Sequence, residues 1–578
     1  MGLVLLLLVS YNGHAQYQNS KSLKTLDSLM DLNEYKKAQN TLNKDLQNFK
    51  AKKSYYLLTD YLYYIGKINL QLHDQPTATS RVTQFFSFIT SKTDSAKVIR
   101  QAALELSSYY ELINNPQKAY DANLDALNAT SKWKEATPED FGLVENNLGT
   151  LANRKGDLAT GLKHHKKALK YYESYPKADK SSLYILYNSL GGSMWYTSKI
   201  DSALYFYERA EKTLKLLEPN PMNAYYRPAT LNNNKAGIYA TQGNFKKALE
   251  AMKSTIDHLK KFLKTHSSDS RKESAQEFLF MSIENYAGIY KDMGDFEKAK
   301  QLLEYSYREK KKHFQPDNPE LFKANILLGQ IYFALKDYKL SETYLTKGLN
   351  HINKTPGGNT YWAAEAHYTL AQLNEALKNN DTAKWHFNKA ETLYEASLEG
   401  AYDELYLDFT LNASNFYAKN NEKEKALNLS KKACAYIKEN QGNTTALEIQ
   451  QILNKGEIYY KLGEYEAAFN DSNKTMDLLK KIVTTQTNPL DSVNIILYQP
   501  KAILLRAKSA YKLTKTRTSN FLIQQFKEVK QAISILEKQK ALVGDDSIIT
   551  YLIDKNAAIF EFAKQLALEI YGATKNKM

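Results

Sequence analysis

The stretch Asn285 to Tyr307 reads NYAGIYKDMGDFEKAKQLLEYSY. Ala287 is small, Tyr290 follows one turn later, and Gly294-Asp295 marks a turn. Phe296 comes directly after that turn, and Ala299 and Ser306 are again small. A glycine supplies the left-handed conformation that ends one helix, and the polar residue after it can cap the next. The stretch therefore specifies a helix, a tight turn and a second helix. The two helices approach closely wherever a small residue stands.

The same arrangement repeats in phase. The first small residue recurs as Gly149, Gly191, Ala236, Ala287, Gly329, Ala371, Ser414 and Gly456, at spacings of 42, 45, 51, 42, 42, 43 and 42 residues. Twelve residues after each stand Gly161, Ala203, Ala248, Ala299, Ser341, Ala383, Ala426 and Ala468. Nineteen after each stand Ala168, Ala210, Thr255, Ser306, Gly348, Ala390, Ala433 and Thr475. Between the first and second small positions lie the turns Gly156-Asp157, Gly243-Asn244, Gly294-Asp295, Lys336-Asp337 and Gly463-Glu464. Large residues are expected to fill what the small ones leave open: Tyr239, Tyr290, Tyr332, Tyr417 and Tyr459 after the first small position, and Phe245, Phe296, Tyr338 and Tyr465 after the turn. These turns exclude one long coiled coil.

Weaker units continue the phase upstream through Leu26, Gly66 and Ser107, with Ala38, Ala78 and Ala119 twelve residues after each. Downstream, Ala507 opens a divergent unit, and residues from about 515 read as two or three long helices. Terminal units depart from the pattern because they cover the open ends of a stack. About twelve hairpins are expected. The extra residues around Pro219 to Pro228 and Thr265 to Glu273 are expected in loops along one edge.

The small residue, Gly-Asp turn, aromatic and alanine at fixed offsets resemble the tetratricopeptide repeat (TPR). The period exceeds the common unit of about 34 residues and so is similar to the long-helix subtype of kinesin light chains. His313-Phe314-Gln315-Pro316-Asp317-Asn318-Pro319-Glu320 is similar to that subtype's linker, without its Gly and His. The resemblance implies an all-α fold, a TPR α-solenoid in which antiparallel hairpins build a right-handed superhelix. It implies binding of a protein or peptide partner on the concave face, lined by the first helix of each hairpin.

The start, MGLVLLLLVSYNGHAQ, has an apolar run from Leu3 to Val9, then small residues at Gly13 and Ala15. It reads as a signal peptide over residues 1–15, directing export to the periplasm, cell envelope or exterior. The run is too short to span a bilayer, and the chain has no other membrane-length apolar stretch, so it does not read as an integral membrane protein. Residues 16–130 read as degenerate TPR-like hairpins, 131–480 as the regular array, and 481–578 as divergent C-terminal helices.

With 578 residues the chain is too long for one core and suits an array. Twelve prolines and 23 glycines leave long helical stretches. The single cysteine, Cys434, excludes an internal disulfide and a cysteine-built metal site, and is expected to be a buried small hydrophobe. The net charge of +15 could suit nucleic acid. Lysine far outnumbers arginine, however, and acids are interleaved throughout, so no nucleic-acid partner is expected. The local excess Lys508, Lys512, Lys515 and Arg517 reads as a solvated helix face.

No Gly-rich phosphate loop, nucleophile elbow or His-Glu-x-x-His helix occurs. His164 and His165 are adjacent and point about 100° apart on a helix rather than at one metal. Asp471, Asn473 and Thr475 imitate the start of a calcium loop without its glycine and closing glutamate. The reading is a non-catalytic chain with no catalytic residue, cofactor, metal or small-molecule substrate.

Asn147, Asn234, Asn285, Asn412 and Asn454 stand two residues before their first small position, and Asn146, Asn188 and Asn233 stand three before. An amide both donates to and accepts from the backbone of an extended peptide, so these eight form a candidate peptide-reading ladder. In peptide-binding TPR domains an asparagine is similarly placed. The chain is rich in asparagine, so some of the eight are expected simply to bond to neighbouring helices. No unit has the Lys and Asn one turn apart of the carboxylate clamp, which disfavours chaperone C-termini as ligands.

The stretch Tyr498 to Asn576, ending Ala567, Leu568, Tyr571 and Thr574, resembles the junction before the caspase-like CHAT domain of exported bacterial TPR proteins. Two functions stay open: a protein-interaction scaffold, or the regulatory arm of a CHAT peptidase or signalling protein whose effector is absent from this chain.

Overall fold

The computed structural model describes residues 21–196, 199–242, 244–265, 272–354, 359–441, 446–485, 492–543 and 556–575. The signal-peptide expectation, residues 1–15, lies outside them. No strand occurs among the described residues. The described chain forms two compact bodies, one of residues 21–231 and 262–275, the other of residues 232–261 and 276–575.

The first body holds α1 (Lys21–Asp31), α2 (Tyr35–Ala51), α3 (Tyr55–Thr59), α4 (Tyr61–Leu72), α5 (Gln75–Ser91), α6 (Ala96–Leu112) and α7 (Pro116–Lys132). It continues through α8 (Pro138–Arg154), α9 (Leu158–Glu173), α10 (Lys180–Tyr196) and α11 (Ile200–Leu214). Pairs α6/α7, α8/α9 and α10/α11 are hairpins, and α8 also packs on α7 and on α10, the first helix of the next hairpin. Caps fix the starts. Asn115 and Thr137 accept from the backbone of Lys118 and Asp140, ahead of Pro116 and Pro138 at first helical positions where their missing N–H costs nothing.

The residues of α12 (Arg227–Thr241), α13 (Phe245–Leu263) and α14 (Lys272–Asp292) are each divided between the two bodies. The second body then holds α15 (Phe296–His313), α16 (Pro319–Ala334), α17 (Tyr338–Lys354), α18 (Thr360–Ala376), α19 (Asn380–Leu398), α20 (Glu404–Lys419) and α21 (Lys423–Gln441). It ends with α22 (Ala446–Lys461), α23 (Tyr465–Thr485), α24 (Ser492–Leu513), α25 (Ser519–Val543) and α26 (Ala557–Lys575). Hairpins α16/α17, α18/α19, α20/α21 and α22/α23 again stack, with α16 on α18, α18's partner α19 beside it, and α20 on α22. The fold is an all-α stack of helical hairpins, a solenoid-type repeat.

Four of the five expected turns are present, and Gly243 of the fifth lies outside the described residues. Gly156, Gly294 and Gly463 take φ of 82°, 84° and 79°. In each turn the left-handed residue and the one after it donate back to the preceding helix, as when Gly294 N–H reaches the Lys291 carbonyl and Asp295 N–H the Tyr290 carbonyl. Asp157, Asp295 and Asp337 then cap the second helix from their side chains. The same conformation appears at residues with a Cβ: Lys336, Lys378 and Asn421 have φ of 63°, 64° and 61°. Gly294, Lys336, Lys378, Asn421 and Gly463 are thus 42, 42, 43 and 42 residues apart, so the backbone keeps the period where the glycine is lost.

The alanines, serines and threonines of the three small positions are buried throughout both bodies. What fills the gap differs from the expectation. The residue 16 after the first small position occupies it: a Cβ on Gly149 would lie 2.4 Å from Cδ2 of His165, one on Gly191 2.4 Å from Cε1 of Tyr207, and one on Gly329 2.5 Å from Cγ of Leu345. Tyr239, Tyr290 and Tyr459 are only partly buried, whereas Tyr332 and Tyr417 are buried. The gap lies between the helices of one hairpin. In these three units a side chain from the second helix points into it, whereas beside Gly456 the nearest side chain is Leu505 of α24.

Two local expectations change. Of Pro219 to Pro228, residues Met222–Tyr226 form a π-helical turn that leads into α12, and Pro228 sits in the first turn of that helix. The Lys508 to Arg517 stripe is not one solvated face: α24 ends at Leu513, and Lys508 is half-buried with its ammonium 5.9 Å from the Phe562 ring centre. Arg517, beyond the helix, lies 3.8 Å from the Tyr511 ring centre.

Candidate interaction surface

The first helices of three hairpins, α8, α10 and α12, carry a polar register four residues before the first small position, where α14 and α22 have the buried Ile283 and Ile452. Glu145, Tyr187 and Asn232 occupy it, and each is tied to the residue 22 later on the second helix. Lys167 Nζ donates to Glu145 at 3.3 Å, Arg209 Nη2 to the Tyr187 hydroxyl at 2.9 Å, and Asn232 Nδ2 to Ser254 Oγ at 3.0 Å. These ties fix where each first helix turns its polar edge.

The eight asparagines fall on or beside this edge, with different surroundings. Asn233 and Asn285 come together: Asn285 Nδ2 donates to Asn233 Oδ1 at 3.3 Å, and both are buried. Asn234 and Asn188 are buried as well. Asn146 is buried, and its carbonyl accepts from His165 Nε2 at 3.2 Å. Asn412 is half-buried and donates to the Tyr368 hydroxyl at 2.7 Å, which in turn donates to Asp408 at 2.7 Å. Asn147 and Asn454 are half-buried, and among the described residues neither side-chain amide makes a hydrogen bond.

The buried acids of the first helices escaped the sequence reading. In α14 Glu284 binds Lys310 and, at 3.1 Å, Lys323, while Lys310 also meets Glu320 at 2.5 Å. Burial pushes the Glu284 carboxyl up, but Lys323 and Lys310 outweigh it and hold its pKa below the usual range. In α18 Glu365 has no cation in contact among the described residues: the Tyr394 hydroxyl donates to it, and Gln330 Nε2 donates at 2.9 Å. Burial pushes its pKa up to about 7, opposed by the Tyr394 hydrogen bond and reinforced by Asp403. In α8 Glu145 accepts from His164 Nδ1 at 2.5 Å, and His164 Nε2 faces the Tyr120 hydroxyl at 3.0 Å. His165 points elsewhere, as its adjacency to His164 predicts. Its Nδ1 meets Ser193 at 2.6 Å, and burial holds its pKa down to about 3. No sequence signal announces these acids, because their partners change type from hairpin to hairpin.

Cys434 is half-buried rather than fully enclosed. Its thiol donates to the Gln451 carbonyl at 3.3 Å, and burial pushes its pKa up to about 11, which leaves it protonated and a poor nucleophile. Asp471 lies on α23 against Lys455 at 3.3 Å, a half-buried ion pair on a helix and no calcium loop. Among the described residues no group of three or more His, Cys, Asp or Glu could hold a metal ion. Nor is any described helix long and apolar enough to cross a membrane.

Stacked hairpins with small residues in phase, capped turns and a polar edge define a helical-repeat protein. The tetratricopeptide repeat family profile matches residues 140–215 and 320–396, which are tetratricopeptide repeats. No curated protein sequence matches the chain. Among solved structures, the apo quorum sensor NprR from B. thuringiensis is similar at 13% identity and a TM-score of 0.40, over 75% of this chain and 99% of that one. A Rap protein complexed with competence and sporulation factor gives 17% and 0.40, over 68% and 100%. A tetratricopeptide repeat protein from Parabacteroides merdae gives 16% and 0.32, over 51% and 93%.

Proposed function

We propose that the chain is a non-catalytic interaction scaffold that holds an extended peptide or a protein segment against the first helices of its hairpins. What carries the reading is the contrast within the asparagine register. Asn285 and Asn412 spend their amides on neighbouring helices, whereas Asn147 and Asn454 stand half-exposed at the same register with donor and acceptor uncommitted. A peptide backbone offers both partners such an amide needs. The 42-residue period supports the long-helix subtype.

The test is an array of unrelated extended peptides probed with the full chain and with Asn147→Ala/Asn454→Ala. Loss of these amides costs under about 0.5 kcal/mol of stability, because no internal hydrogen bond goes with them. Capture should fall in the variant. Unchanged capture with an unchanged unfolding midpoint would sink the proposal.

Export rests on the apolar run Leu3 to Val9 and the small residues after it; N-terminal sequencing of the mature protein from the envelope fraction tests it. The alternative role, a regulatory arm for a CHAT peptidase or signalling protein, rests on the resemblance of Tyr498 to Asn576, and the coding frame beyond Met578 tests it.

A further inference from the structure

We propose that His367 and His386 are the protein ligands of a divalent transition-metal site, for Cu2+ or Ni2+, held between α18 and α19. Their Nδ1 atoms face each other at 2.9 Å. With metal–nitrogen bonds of about 2.0–2.1 Å, nitrogens at that separation subtend about 90° at a shared ion. That is the angle between neighbouring ligands in a square-planar or tetragonal site, the geometry of Cu2+ and Ni2+. A tetrahedral ion at the same bond length would need the nitrogens about 3.3 Å apart, wider than the pair stands before its rings turn.

The surroundings allow it. Both rings are half-buried, and among the described residues neither makes another hydrogen bond. Trp385, 57% exposed, lies edge-on to both, at 5.5 Å from His367 and 4.8 Å from His386. Water completes the ion's coordination on this open side. Burial keeps both pKa values down, at about 4, and at His367 the neighbouring His386 and Lys389 act in the same direction. Lys389 faces His367 and opposes a cation, which sets the affinity below that of a three-ligand site.

A second observation points the same way. His367 and His386 stand four before and fifteen after Ala371, as Glu145 and His164 stand four before and fifteen after Gly149. The α8/α9 pair is the stable solution at this register, a carboxylate accepting from an imidazole at 2.5 Å. In α18/α19 the carboxylate is replaced by a second neutral nitrogen donor. That exchange forfeits the charge-assisted bond and provides a chelate. Proton balance is simple: the single proton shared between the Nδ1 atoms moves through water to Nε2 of the same ring, each ring turns about χ2, and both Nδ1 lone pairs bind the ion. No net proton is released.

The experiment titrates Cu2+ alone, with no other ligand, into the full chain, read by calorimetry and by tryptophan fluorescence. One saturable equivalent is expected, with quenching that Trp385→Phe removes. His367→Ala and His386→Gln should each weaken it by about tenfold or more, with circular dichroism confirming the fold; two variants on different helices guard against a folding failure in either. The proposal is overturned if no saturable equivalent appears, if it survives in both histidine variants, or if the quenching persists in Trp385→Phe.

Discussion

Hairpins α8/α9 and α18/α19 solve one packing problem in two ways. In the first, Gly149 leaves room for the flat ring of His165, the turn uses Gly156, and Leu143 and Tyr172 occupy the edge of the contact. In the second, the equivalent residues are Ala371, Phe387, Lys378, Glu365 and Tyr394. Phe387, Ala371 and Tyr394 are fully buried, and Phe387 packs among Phe409, Phe416 and Tyr417. The small-residue frame is held constant while the titratable group moves from the hairpin's centre, at His165, to its edge, at Glu365. The contributions of His165 and Glu365 consequently respond to pH with opposite signs.

The largest expected effect tests Glu365. Its folded pKa, about 7, lies above the ordinary 4.5, so between these values the folded chain holds a proton the unfolded chain has released. Stability contributed by the protonated form is present below 4.5 and is lost as pH rises to 7, by about 3 kcal/mol. Glu365→Gln should remove that slope in urea unfolding at pH 5 and 7.5; an identical slope in the variant would refute the assignment. Next is His165, whose folded pKa of about 3 lies below the ordinary 6.5. Here the unfolded chain gains the proton first, and stability should fall by about 2 kcal/mol between pH 7 and 5. His165→Phe, which copies the residue at 387, should flatten that fall.

Swapping the frame gives smaller effects. Gly149→Ala puts a methyl 2.4 Å from the His165 ring and should destabilise by about 1–2 kcal/mol. A thermal midpoint equal to that of the parent would show that the ring can move aside. Lys378→Gly relieves a left-handed residue with φ of 64° and should stabilise by about 1 kcal/mol. Glycine's own chain entropy partly offsets the relief, so this is the smallest change of the four.

The frame was readable from the residues alone, because Gly149, Gly191 and their successors must be small wherever two backbones meet. The partner sixteen residues on was present in the same rows but varies from His165 to Tyr207 to Leu345, and a pattern defined by complementarity of volume is not visible as identity. The buried acids were hidden for a related reason: Glu145, Glu284 and Glu365 look like solvated helix residues until their neighbours are known. The asparagine register was visible, but which members turn inward depends on the neighbouring helix each one meets. Asn285 and Asn454 share a position in the pattern and not an environment.

The sixteen-residue spacing from the first small position to its partner is the same at Gly149, Gly191 and Gly329, although the units themselves begin 42 to 51 residues apart. One residue added inside a hairpin would turn everything beyond it by about 100° and carry the partner off its gap. The same addition between hairpins displaces no such pair. The chain therefore has forbidden and permitted places for growth, and its joints are where a tag, a fluorophore or an evolutionary insertion can be accommodated without rewriting the packing.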